Sequence, residues 1–116
     1  YFIDFLVEPE SFMSQLDVFL MPSRSEGFGL TVLESTKLGI PVITSNIPIF
    51  MELFDQMCLT FDIKNPSTLI DVITYAKKNR LHLSQKFHAI FQDRFTSSKM
   101  ATKYENVYNN LFREVL

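Results

Sequence analysis

Glu26 and Glu34 stand eight positions apart in PSRSEGFGLTVLE (residues 22–34), with Gly27 and Gly29 just after the first of them. A carboxylate accepts hydrogen bonds from two neighbouring hydroxyls, which suits a ribose or another sugar. A helix start presents unpaired backbone N–H groups and a partial positive charge, and glycines remove the side chains that would keep a phosphate away from them. The stretch thus combines donors for a phosphate with acceptors for sugar hydroxyls on either side. Neither GxxxxGK[ST] nor GxGxxG occurs in it, so the glycines alone also fit a plain strand-to-helix turn. Glu34 lies three and four residues after Thr31 and Leu30, hence on the same helix face and leaning back toward the helix start. Each acid also has a plainer reading. Glu34 could form a surface pair with Lys37, and Glu26 could simply favour a helix start, worth about 0.3–1 kcal/mol.

Other reactive side chains offer less. Ser23, Ser25 and Ser35 lack a G-x-S-x-G elbow and a matching His and acid, which leaves a hydrolase without support. His82 and His88 are six apart in helical sequence, do not share a face, and have no cysteine or acid at metal-ligand spacing; they read as surface or half-buried helix residues, and no metal site is expected. Asp4, Asp62 and Asp71 read as strand-end and helix-surface acids, and Arg24 as a solvated or structural base. Cys58, between Met57 and Leu59, is expected to be a small buried residue of a strand. It is the single cysteine, so no internal disulfide exists and a reducing, cytoplasmic setting is expected, at most at the cytoplasmic face of a membrane.

The elements that must position these residues follow from the apolar pattern. Phe2–Val7 reads as a strand ended by Glu8-Pro9-Glu10, and Ser11–Leu16 as a brief helical turn. Val18–Met21 runs without alternation, the mark of a strand covered on both faces. Leu30–Leu38 reads as a helix ended by Gly39, Pro41–Ser45 as the next buried strand, Ile47–Phe54 as a loop with a short helix, and Met57–Phe61 as a fourth strand. Asn65-Pro66 then signals a helix start. Leu69, Val72, Ile73 and Ala76 mark its inner face; Leu83, Phe87, Ile90 and Phe91 mark a second helix; Met100, Tyr104, Val107, Tyr108, Leu111 and Val115 a third, all expected in the core. Strand–helix units over 1–64 and a helical tail over 65–116 predict an α/β fold, a partial Rossmann-like parallel sheet followed by C-terminal helices. In such sheets ligands bind outside the carboxyl ends of strands, where residues 22–34 fall.

With 116 residues, 47% apolar and twelve of them Phe, the chain suffices for one modest packed domain and is not a disordered segment. A formal charge of −2 excludes the basic excess of a dedicated nucleic-acid binder, so no nucleic acid is expected as partner. Every apolar run is far shorter than the ~20 residues of a spanning helix. YFIDFLVEPE opens inside a strand-like run with no leader pattern, which predicts a piece of a longer chain.

Asp17-Val18-Phe19-Leu20-Met21-Pro22-Ser23-Arg24-Ser25-Glu26-Gly27-Phe28-Gly29-Leu30 through Glu34, then Gly39-Ile40-Pro41-Val42-Ile43, closely resembles the nucleotide-sugar-binding C-terminal domain of GT-B glycosyltransferases, nearest to the retaining family 4 or group 1 enzymes. The Glu, seven residues, Glu signature, set in PS–EGFG–E and followed by G-x-P-V, is present in order. Glu52 falls where the family often has a further Glu, and Arg94-Phe95-Thr96 through Tyr108 resembles its closing helical segment. The resemblance spans essentially the whole chain.

That resemblance implies the site. Glu26 would contact the donor hexose and help stabilise charge near its anomeric carbon, as the catalytic residue. Gly27, Phe28 and Gly29 would lend backbone groups to that sugar, the amides of Leu30 and Thr31 would face the diphosphate, and Glu34 would hold the ribose. The implied reaction transfers a sugar from a nucleotide diphosphate sugar to a glycan, lipid or other acceptor, in polysaccharide or glycoconjugate biosynthesis, with configuration retained and no metal cofactor. Two departures stand out. The family's phosphate-clamping Arg/Lys pair has no match, and the acceptor-binding N-terminal domain and roughly two strand–helix units are missing. In the order 3-2-1-4-5-6, Phe2–Val7 would be the third strand and Val18–Met21 the fourth, so the sheet would lack its middle. The open edge is expected to pair with the missing N-terminal half of the enzyme or with a second copy. The alternative is a noncatalytic relative acting as an interaction module with a catalytic partner; the piece alone is expected to be inactive.

Overall fold

Three short strands organise the protein in a computed structural model, which describes residues 1–115: β1 (Phe19–Met21), β2 (Val42–Ser45) and β3 (Leu59–Phe61). They pair in parallel in the order β1-β2-β3, with Leu20 opposite Ile43 and Thr44 opposite Thr60. The helices among the described residues are α1 (Pro9–Met13), α2 (Leu30–Lys37), α3 (Pro48–Phe54), α4 (Thr68–Lys78), α5 (Arg80–Arg94) and α6 (Ser97–Val115).

β2 is central, and all four of its residues are buried. Successive strand side chains point to opposite faces. Val42 accordingly joins a cluster with Val32, Ile47, Phe50, Phe54, Met57 and Cys58, while Ile43 joins Phe61, Ala76, Leu83 and Phe87. This is the burial expected of a buried strand over Pro41–Ser45. Each fully buried Phe contributes about 1.5–3 kcal/mol relative to exposure. Gly39, left-handed at φ 71°, ends α2. Its N–H donates to the Thr36 carbonyl, and the Ile40 N–H donates to that of Ser35. Those bonds satisfy carbonyls that the helix end would leave open.

Five expectations fail. Val18–Met21, expected to be covered on both faces, supplies β1 at an edge of the described sheet, where Leu20 is exposed and its neighbours are only half-buried. Phe2–Val7 forms no strand, and apart from half-buried Leu6 these residues are exposed. A parallel strand exists only through its neighbours' hydrogen bonds, and no described strand lies beside this one. The helix expected from Asn65-Pro66 begins later, at Thr68, because Asn65 and Pro66 form a preceding turn in which the Asn65 carbonyl accepts the Thr68 N–H. Cys58 is buried but stands just before β3, bonded to the end of α3. Most visibly, the α6 stripe is not core. Met100, Tyr104, Val107, Tyr108 and Leu111 are all more than half exposed, since no described element covers that face; the side chain of Val115 lies outside the described ones.

Candidate functional site

The loop between β1 and α2 is fastened to the carboxyl end of the sheet. Ser45, the last residue of β2 and fully buried, donates its hydroxyl to the Ser23 carbonyl. The Ser23 hydroxyl in turn donates to Glu26 Oε1 at 2.8 Å. Glu26 is half-buried and oriented by a neutral donor, so its carboxylate keeps acceptor capacity for further partners. Sequence reasoning missed Ser45; the available signal was a hydroxyl residue closing an otherwise apolar strand.

Gly29 is the N-cap of α2, left-handed at φ 90° and ψ 50°. A Cβ there would lie 2.9 Å from the Phe50 ring and 3.3 Å from that of Phe54. Glycine is therefore demanded twice, by backbone conformation and by the two rings beneath it. Gly27 differs: a Cβ there would meet nothing within 4 Å. Between them Phe28 stacks edge-on against Phe54, with ring centroids 5.9 Å apart. The Val32 N–H turns back to the Gly29 carbonyl at 3.0 Å, leaving the amides of Leu30 and Thr31 ahead of the helical ladder. Thr31 donates its hydroxyl to Met21 Sδ at 3.4 Å, which ties α2 to the end of β1.

Glu34 lies one turn further along α2 and is exposed. It lines a groove of about 550 Å³ whose other wall is Val7–Ser11. Its surface pairing with Lys37 does not occur: Lys37 Nζ binds Glu10 Oε1 at 2.8 Å instead. Glu10 and, more weakly, Glu34 push the Lys37 ammonium above its usual range. Glu26 is not among the residues lining the Glu34 groove. A second groove, of about 580 Å³ and largely apolar, runs between Phe28, Leu30 and Leu33 on one side and Met100, Tyr104 and Val107 of α6 on the other. Arg94 also lines it, with the guanidinium 5.1 Å from the Phe95 ring.

Burial pushes the Cys58 thiol upward, against a smaller opposing effect of its contact with the Thr44 hydroxyl. A thiol held neutral in this way is a poor nucleophile. His88 Nδ1 lies 2.9 Å from the Lys37 carbonyl, serving the end of α2. His82 and Glu52 are exposed, and among the described residues no three His, Cys, Asp or Glu side chains gather at metal-binding distance.

Residues 1–93 match the family described as glycosyl transferases group 1. Over all 116 residues the chain is 99% identical to the O-antigen biosynthesis glycosyltransferase WclY of Escherichia coli, covering 33% of that protein. It is 25% identical over 112 residues to the capsular polysaccharide biosynthesis glycosyltransferase CapM of Staphylococcus aureus, covering 92% of this chain and 30% of the relative. Among solved structures, the sucrose-phosphate synthase of Thermosynechococcus elongatus superposes with a TM-score of 0.73 at 22% identity, over 89% of this chain and 27% of that one. The chain thus spans about a third of the length of these relatives.

Proposed function

The chain belongs to the group 1 glycosyl transferases, and from that premise we propose that it forms part of the nucleotide-sugar-binding domain of a retaining transferase for O-antigen assembly. In this reading the donor lies along the loop and first turn of α2. The amides of Leu30 and Thr31, with the helix dipole behind them, receive the diphosphate. Glu34 holds the ribose hydroxyls from the groove it shares with Val7–Ser11. Glu26 faces the transferred hexose, supported by the Ser23 hydroxyl, and its fixed negative charge stabilises positive charge developing at the anomeric carbon. Gly27 and Phe28 lend backbone groups to the same sugar, as does Gly29. The chemistry is carried by placed charges and dipoles and needs no metal. The acceptor is a growing glycan or its lipid carrier, at the cytoplasmic face of a membrane.

The observation that carries this reading is the construction of the loop. Gly29 is forced by the protein itself, whereas Gly27 stands beside open space next to a carboxylate oriented by its own hydrogen bond. The two glutamates do not line one described groove, and the pocket is proposed to close only with the rest of the longer enzyme. That remainder is also the proposed partner of the β1 edge, where Leu20 is exposed. The test is turnover by the full-length enzyme. Glu26→Gln should lower kcat about 10²–10³-fold, the loss typical of one removed electrostatic stabiliser, while donor affinity stays within a few-fold. Unchanged turnover would favour an interaction module in place of a catalyst.

A further inference from the structure

α2 begins at the proposed diphosphate site and ends on a residue that is held twice. The backbone carbonyl of Lys37 meets His88 Nδ1 at 2.9 Å, and its ammonium donates to Glu10 Oε1 at 2.8 Å. Glu10 stands on α1, within the wall that faces Glu34 across the groove. That wall has little internal support. α1 has five residues, too few to be stable alone, and the segment before it is exposed apart from half-buried Leu6 and pairs with no described strand. Met13 anchors the far end of α1 in the interior, and the Glu10–Lys37 ion pair fastens the near end to α2.

Lys37 also lies three residues beyond Glu34, where an unengaged lysine would pair with that glutamate along the helix. Engagement by Glu10 diverts it. Glu34 consequently has no partner among the described ion pairs, which are Lys37–Glu10, Arg80–Asp17 and Lys99–Asp93.

We propose that Lys37 is a positioning residue for nucleotide binding: by holding Glu10 it fixes the α1 wall of the groove and leaves the Glu34 carboxylate free for the ribose of a nucleoside diphosphate. The inference rests on the ribose role of Glu34 given above. Both partners of the ion pair are about half exposed, with side-chain accessibilities of 51% and 57%. Its influence is therefore modest and screened by salt.

The experiment titrates uridine, guanosine and adenosine diphosphates into the full-length enzyme, using whichever binds the wild type most tightly. Lys37→Met and Glu10→Gln should each raise Kd by about two- to fivefold at low salt. The first loosens the wall, and the second releases Lys37 to compete for Glu34. The double variant should be no weaker than the worse single one, because both act through one contact. Wild type and variants should converge near 1 M salt, and kcat at saturating donor should not change. Unaltered Kd for both single variants, additive losses, or a loss confined to kcat would overturn the proposal. The ribose role is separately read by Glu34→Ala: if that variant loses binding while the Lys37 and Glu10 variants bind as wild type, the ribose site stands and the positioning role falls. If Glu34→Ala binds as wild type, both fall.

Discussion

Gly27 and Gly29 are two positions apart and answer different demands, which makes them separable by experiment. Alanine at 29 must adopt a left-handed backbone at a cost of roughly 1–2 kcal/mol, and must also displace the Phe50 and Phe54 rings. We expect Gly29→Ala to cost about 2–4 kcal/mol, a fall in the thermal midpoint on the order of 10 °C for a domain of this size. Gly27→Ala should leave stability within about 0.5 kcal/mol and weaken donor binding instead. Thermal denaturation of both variants beside a donor titration checks the split; equal destabilisation would refute it. At this scale the sequence was informative about residue type and spacing but silent about support. Nothing in a single sequence ties Ser45 to Ser23, or Lys37 to Glu10 rather than Glu34, because both links join residues more than twenty positions apart.

Among the elements, α3 is the floor of the site. Phe54 meets the rings of Phe28, Phe50 and Phe95, with centroids 5.9, 6.3 and 5.8 Å away, and so joins the glycine loop to the end of α5. Phe54→Ala should cost about 3–5 kcal/mol, read by urea denaturation. A loss under 1 kcal/mol would show that the loop does not rest on this helix. α2 and β2 were legible in the sequence because their signals are local: a helical period closed by Gly39, then a short strand-like run opened by Pro41. Phe2–Val7 was misread because its apolar composition says that the segment is covered in some context, whereas pairing depends on a neighbour no local pattern can supply. The stripe on α6 misled for the same reason. An amphipathic period fixes which face seeks cover, not what provides it.

Taken whole, the described residues leave apolar surface open along the segment before α1, where Phe2, Phe5 and Val7 are exposed, and along the face of α6, where Tyr104, Leu111 and Phe112 are 57%, 54% and 69% exposed. Contiguous exposed apolar surface of this kind marks interaction surfaces. As the chain spans about a third of its relatives' length, we expect the remainder of the longer enzyme to cover this face. Val107→Glu with Leu111→Glu should then leave the isolated chain's unfolding free energy within about 0.5 kcal/mol per substitution while lowering that of the full-length enzyme. Equal loss in both would place the covering surface within the chain itself. The central claim, that the start of α2 holds a nucleoside diphosphate with Glu34 on its ribose, is tested most directly by calorimetric titration of the full-length enzyme with its preferred nucleoside diphosphate. Glu34→Ala should weaken binding about tenfold or more, the worth of a charge-assisted hydrogen bond, whereas Glu26→Ala should leave it nearly unchanged because that ligand lacks the hexose. Wild-type affinity in Glu34→Ala, or a loss confined to Glu26→Ala, would contradict the account.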